Sequence, residues 1–322
     1  MTLSMKLRIK FIITFFFMVQ IIGEAQNCLK CTDTEYDINY DFSLLNSRFH
    51  LLQLFGDNSF HSSNYYDNNY NGNVGWIEGR LMFPTFSKFV KTQIPLPEPY
   101  ITGLIKDLKD ISWEKRFDYG VGIEWRIFKQ INENLKGFNW IKHLRFYAVS
   151  LNTLYSQEVE SWRPKNDYRF GVELYRECNI YKDYHLGEQN NDNYYFWSEF
   201  WADLSYRKTN FFIKDYNSWF FAFTPKYGIK LFPYKFYSLM PYLTGEVVVT
   251  SRSDFWQNRA LLGIGARIMP FRKFTTGLFG ALFRSCRFYF EYSNCVAYFK
   301  DKPTAQTPEY DLKFGISISI YR

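Results

Sequence analysis

Between residues 309 and 322 the chain reads EYDLKFGISISIYR. One alternate set is Tyr310, Leu312, Phe314, Ile316, Ile318 and Ile320; the other is Asp311, Lys313, Gly315, Ser317 and Ser319. Successive side chains of a β-strand point to opposite faces, so this stretch predicts a strand with one greasy side and one polar side. A half-buried strand of a soluble sheet needs such alternation over about five or six residues. Here it is sustained from 310 to 320, the length of about nine to eleven residues that a tilted strand needs to cross a bilayer.

The same two-faced pattern recurs upstream. At 117–128 the apolar set is Phe117, Tyr119, Val121, Ile123, Trp125 and Ile127, against Asp118, Gly120, Gly122, Glu124 and Arg126. At 168–175 the polar set is Arg169, Gly171, Glu173 and Tyr175; at 195–207 it is Tyr195, Trp197, Glu199, Trp201, Asp203, Ser205 and Arg207. Glu78 with Arg80, Glu246, Arg259 with Arg267, and Arg287 with Glu291 extend the polar face to other segments. Strands are expected near 43–55, 73–84, 96–106, 117–129, 141–155, 166–178, 192–207, 217–232, 236–250, 257–270, 284–299 and 309–321. Residues 99–110, PYITGLIKDLKD, also fit an amphipathic helix with Ile101, Leu104, Ile105 and Leu108 on one side.

In hydrocarbon an unpaired backbone group costs several kcal/mol, so a sheet crosses only if its edges meet. The expected fold is therefore all-β: a single antiparallel transmembrane β-barrel of about twelve strands (10–14). It occupies residues 43–322 and has outer-membrane lipid as its surroundings. An Arg or Lys facing lipid at mid-depth would cost about 2–4 kcal/mol, so the charges must point into the lumen. Short intervals such as 233–235 and long ones such as 61–73, 186–193 and 300–309 suggest short turns at one end and long loops at the other. Trp76, Trp162, Trp219 and Trp256 stand near strand ends, where aromatic girdles are expected.

The N-terminus has the three-part layout of a signal peptide: Lys6, Arg8 and Lys10, the apolar FIITFFFMVQIIG, then Gly23 and Ala25 at the small-residue positions. Cleavage after Ala25 leaves residues 26–42 as a short periplasmic segment and routes the chain to a bacterial outer membrane. The apolar run is too short for a comfortable membrane helix. The five cysteines are Cys28, Cys31, Cys178, Cys286 and Cys295. The Cys28–Cys31 spacing suits a local disulfide or two idle thiols, and with no partner pair a zinc site is not expected.

The formal charge of +7 is spread along 322 residues without a basic stripe, which argues against nucleic acid as a partner. Aromatic residues make up 21% of the chain, and Tyr195, Trp197 and Trp201 on the inner face would suit stacking on sugar rings. The lumen-facing candidates are Glu78, Arg80, Glu124, Arg126, Arg169, Glu173, Trp197, Glu199, Trp201, Asp203, Glu246, Arg259, Arg267 and Glu291. Interleaved Arg and Glu can simply neutralise one another and prop the barrel, or they can line a conduit for a hydrophilic polymer. An enzyme would need a nucleophile beside a base, and the histidines His50, His61, His143 and His185 carry no such motif, so no catalysis and no cofactor are expected. His61 and His185 fall in expected loops. The glycine-rich GIGAR at 263–267 lacks the phosphate-loop context and reads as small lumen-side residues.

The segments RFDYGVGIEWRIF, NDYRFGVELYRE, FWSEFWADLSYRKTNFF, FWQNRALLGIGARIMPF and YDLKFGISISIYR together resemble the β-barrel module of bacterial outer-membrane proteins of phage adsorption and exopolysaccharide secretion. The resemblance runs from about residue 74 to 322. It implies an export or docking barrel whose partners are exopolysaccharide and periplasmic export proteins. The alternatives are a small-solute porin, a purely structural barrel, or a lipid-modifying outer-membrane enzyme.

Overall fold

The computed structural model describes residues 31–33, 52–63, 70–83, 96–108, 115–128, 144–156, 165–180, 194–210, 216–231, 238–251, 258–270, 283, 285–299 and 310–320. A short strand β1 (Cys31–Asp33) precedes twelve long ones. These are β2 (Leu52–Ser63), β3 (Tyr70–Met82), β4 (Glu98–Leu108), β5 (Arg116–Trp125), β6 (Leu144–Ser156) and β7 (Asn166–Ile180). There follow β8 (Tyr194–Thr209), β9 (Tyr216–Leu231), β10 (Ser238–Thr250), β11 (Arg259–Met269), β12 (Arg287–Tyr298) and β13 (Tyr310–Ile320).

From β2 to β13 each strand pairs antiparallel with its sequence neighbours, and β13 returns to β2, with Asp311 opposite Ser63 and Ile320 opposite Leu54. The ring has no free edge: it is a closed twelve-stranded antiparallel barrel. β7 runs past the start of β6, whose Leu144 sits opposite Leu174, and β1 takes the backbone edge left open there, Cys31 opposite Ile180. Residues 98–108 form a strand, not the alternative helix, because pairing on both sides captures their backbone. Of the described cysteines, Cys286 and Cys295 are in no disulfide. Cys28 lies outside the described residues.

Alternation sorts the residues as an in-and-out pattern. On β5, Arg116, Asp118, Gly120 and Glu124 are buried while Tyr119, Val121 and Ile123 are exposed. The outer face is apolar: Ile101, Phe170, Leu204, Leu243, Ile264, Phe290 and Phe314 all belong to it. Across the twelve strands, the outward parity carries charge only at Asp107, Arg176 and Lys208. Asp107 and Lys208 are next to the last residues of their strands, and Arg176 lies beyond the last pair of β7 with β6.

Two expectations need correction. The first barrel strand, β2, begins at Leu52 and runs to Ser63, and β3 begins at Tyr70, so 61–63 and 70–73 are strand rather than loop. The connections do sort largely by length, but the membership differs from the expected one: 64–69 and 299–309 belong to the end with the shorter connections, and 232–237 to the other. The end holding the start of β2 and the finish of β13 has connections at 83–97, 126–143, 181–193, 232–237 and 270–286; the opposite end has 64–69, 109–115, 157–165, 210–215, 251–258 and 299–309. The brief 232–237 turn thus shares its end with the longest connections. Strand parity, read locally, says nothing of which end a loop belongs to until the strands are counted correctly.

Inside, glycines make room for rings. A Cβ on Gly122 would lie 2.2 Å from Cζ of Tyr100, and one on Gly265 would lie 2.6 Å from the Tyr242 ring. The expected result is that Gly122→Val costs about 1–3 kcal/mol in urea unfolding, the usual effect of forcing volume into a packed site. Adding Tyr100→Ala should recover most of the loss. An unaffected single variant would show that the ring does not occupy that space.

Candidate functional site

The interior is the only place where charge gathers among the described strands, and it does so in linked groups. On the β3–β8 side, Arg80 Nε donates to Glu78 Oε1 at 2.6 Å, and Thr102 Oγ1 donates to the same oxygen at 3.2 Å. Arg145 forks between strands, donating to Glu124 Oε2 at 2.9 Å through Nη1 and to Glu173 through Nη2. Glu173 also accepts from Trp201 Nε1 at 2.9 Å, and Arg126, just past the end of β5, stands 3.3 Å from Glu124. Nearer the opposite end, Arg116 donates to Asp118, Arg169 donates to Asp167, and Arg207 and Tyr147 both donate to Asp203.

On the β8–β13 side the contacts are chords rather than ladders. Arg267 of β11 donates to Glu199 of β8 at 2.7 Å, although two strands separate them, and Arg287 of β12 adds a contact to Glu199 at 3.7 Å. Glu291 of β12 accepts from Lys226 of β9 and, at 2.7 Å, from Tyr242 of β10. Arg259 donates to Glu246 at 3.0 Å, and Lys313 of β13 reaches Glu246 of β10 at 3.7 Å. Beneath these charges, at the end where β8 and β10 begin, Trp197, Met240, Tyr242 and Met269 form a buried apolar cluster.

Every lumen-facing candidate from the sequence lies on the inward parity. Glu78, Arg80, Glu124, Arg126, Glu173 and Trp201 fall in the first group, with Arg169 and Asp203 nearer the far rim. Glu199, Glu246, Arg259, Arg267 and Glu291 form the chords. Trp197 is 0% exposed, so it is packing material and offers no face to a sugar ring. Trp201 spends its indole N–H on Glu173. The side chain of Tyr195 lies outside the described residues. Trp76 shares the parity of Glu78 and Arg80 and faces inward, against the girdle expectation, because its position opposite Asp57 sets its side. Trp219 does face outward, in contact with Tyr206 and Phe170. Trp162 and Trp256 lie outside the described residues.

Sequence reasoning missed Arg145, Lys226 and Asp57 as members, although alternation with Tyr147 on β6 was available to place Arg145 inward. His61 is not in a loop: it stands on β2 facing the interior, within 2.9 Å of Ser59 and 3.3 Å of Asp311. His50, His143 and His185 lie outside the described residues. No group of three or more His, Cys, Asp or Glu suited to a metal occurs among the described residues.

Neither a protein-family model nor a characterised protein sequence matches the chain. Solved structures similar to the chain share little identity with it. The β domain of the Bordetella autotransporter BrkA has 10% identity, a TM-score of 0.35, and coverage of 84% of this chain and 100% of that one. An outer membrane channel from Pseudomonas putida F1 has 11% identity, a TM-score of 0.30, and coverage of 84% and 94%. The NanC porin has 6% identity, a TM-score of 0.29, and coverage of 83% and 100%. The register of the strands, not these likenesses, establishes the barrel.

Proposed function

We propose that the chain spans a bacterial outer membrane as a barrel whose charge-lined interior is crossed by its own side chains, making it a structural barrel or at most a narrow channel for small hydrophilic solutes. The observation that carries this is the segregation of charge. Outward positions are uncharged and largely apolar along the strands, save Asp107 and Lys208 at strand ends and Arg176 beyond the last pair of β7 with β6, while arginines and carboxylates fill the inside. In water such an outer face would be an exposed apolar surface far larger than soluble monomers carry. In acyl chains it is the solvated side, and closure leaves no sheet edge open to them. The signal-peptide layout of residues 1–25 is consistent with that destination.

The interior supports a propped lumen better than an open one. Arg267–Glu199–Arg287 and Lys226–Glu291 reach between strands that are not neighbours, and ion pairs of this kind fill the space they span. Export or docking of exopolysaccharide with periplasmic partners, the role the family resemblance implies, would require these chords to part. Conductance in a planar bilayer tests the choice. The native barrel should be quiet or show small unit steps, and Glu199→Ala with Arg267→Ala and Arg287→Ala should raise them several-fold. Large native steps blocked by soluble polysaccharide would overturn this reading in favour of a polymer conduit.

A further inference from the structure

One further set of inward groups joins a hydroxyl, an imidazole and a carboxylate across the closing seam, and Lys313 links it to the charge network at Glu246. On β2, Ser59 Oγ lies 2.9 Å from His61 Nε2, and His61 Nδ1 lies 3.3 Å from Asp311 Oδ1 on β13. Each ring nitrogen therefore has the partner that general-base catalysis needs: the hydroxyl on one side, an orienting carboxylate on the other. Register explains the meeting. Residues 59 and 61 share a face of β2, and Asp311 comes alongside because β13 closes the barrel, placing it opposite Ser63, two positions from His61. Asp311 is held in turn by Lys313 Nζ at 3.2 Å. The tautomer with its proton on Nδ1, facing Asp311, leaves the Nε2 lone pair on Ser59.

We propose that Ser59, His61 and Asp311 form an ester-hydrolysing site on the inner wall of the barrel, with a short-chain O-acyl ester of a hydrophilic alcohol, such as an O-acetylated saccharide, as substrate. Ser59 is only 3% exposed, so a substrate reaches it by displacing what covers it, which favours a short acyl group over a long one. The wall around it is polar: Asp57 accepts from Ser59 at 2.9 Å, and Tyr289 donates to both Asp57 oxygens at 2.8 Å while lying in hydrogen-bond reach of Ser59. The Ser59 oxygen bonds to the ester carbonyl carbon as its proton passes to His61 Nε2, and the carbonyl electron pair becomes an oxyanion. The Tyr289 hydroxyl would stabilise it by turning its single proton from Asp57 to the oxyanion. Collapse breaks the bond to the alkoxy oxygen, which leaves with the proton from His61. Water, deprotonated by His61, then hydrolyses the acyl-Ser59 ester and restores all three groups. Asp57 and His61 compete for the Ser59 proton, and only the arrangement that gives it to His61 arms the nucleophile. Asp311 is a positioning residue.

The test uses the full folded barrel in detergent micelles, with p-nitrophenyl acetate as substrate and a small fluorophosphonate as covalent probe. This assay does not depend on the membrane proposal. The adduct should map to Ser59. Ser59→Ala should abolish it and lower hydrolysis by about 10²-fold or more, as should His61→Gln, the scale expected for loss of a positioned base. Asp311→Asn should lower kcat with KM unchanged. Folding of each variant is read from gel migration without heating. If His61→Gln does not fold, the native barrel and Ser59→Ala decide the matter. No adduct at Ser59 in a folded native barrel, or equal labelling of a folded His61→Gln, would overturn the proposal and leave these residues as a clasp of the closing seam only.

Discussion

Ile264→Arg should cripple assembly, while Thr224→Arg should be tolerated far better. Ile264 is on β11, 59% exposed and outward, in the middle of its strand. Thr224 on β9 has the inward parity of Ala222 and Lys226. A guanidinium on the outer face at mid-depth must be stripped of water or drag water and headgroups inward, at a cost of about 2–4 kcal/mol. With tenfold for each 1.4 kcal/mol, that shifts the folded-to-unfolded ratio by roughly 30- to 700-fold. An inward arginine stays among carboxylates and lumen water. The measurement is the folded fraction after refolding into lipid vesicles, followed by urea titration of the product. Equal tolerance of the two substitutions would show that the apolar face does not meet lipid.

Removal of Arg145 should have an effect of similar size for a different reason. Its two ends serve Glu124 and Glu173, carboxylates on the flanking strands β5 and β7, and Glu124 is only 2% exposed. Deleting one partner of a buried pair costs about 3–5 kcal/mol when the other charge is left alone. Here Arg126 and the Trp201 N–H still face the two carboxylates, so the lower end of that range applies. Arg145→Leu should therefore lower the urea midpoint strongly. Adding Glu124→Gln and Glu173→Gln should restore most of the stability, since neutral groups in the same places carry no stranded charge. A triple variant no more stable than Arg145→Leu would mean that the arginine acts through packing, for instance against the Tyr147 ring 5.7 Å from it, rather than through its charge.

How much of this was legible beforehand depends on the range over which each feature is decided. The two-sidedness of β13 and β5 could be read from neighbouring residues, because side-chain direction alternates with a period of two whatever the strand pairs with. Trp197 shows where that stops. Parity put it inside correctly, yet whether it would offer a ring to a ligand depended on Met240, Tyr242 and Met269 arriving from β10 and β11 to bury it. Trp76 was misplaced because proximity to a strand end was weighed above parity. His61 was assigned to a loop because its polar neighbours hid a strand that pairing with β3 and β13 stabilises.

Chain order alone, then, was enough to say that this protein makes long two-faced strands and that such strands must close, since alternation and the backbone's need for partners are local properties. Which charges meet was beyond its reach. Glu199 with Arg267, and His61 with Asp311, lie far apart along the chain and come together only because the ring closes at β2 and β13 with one particular stagger. Slipping any pairing by one residue would turn a face inside out, and the stagger is a property of the whole circuit rather than of any segment.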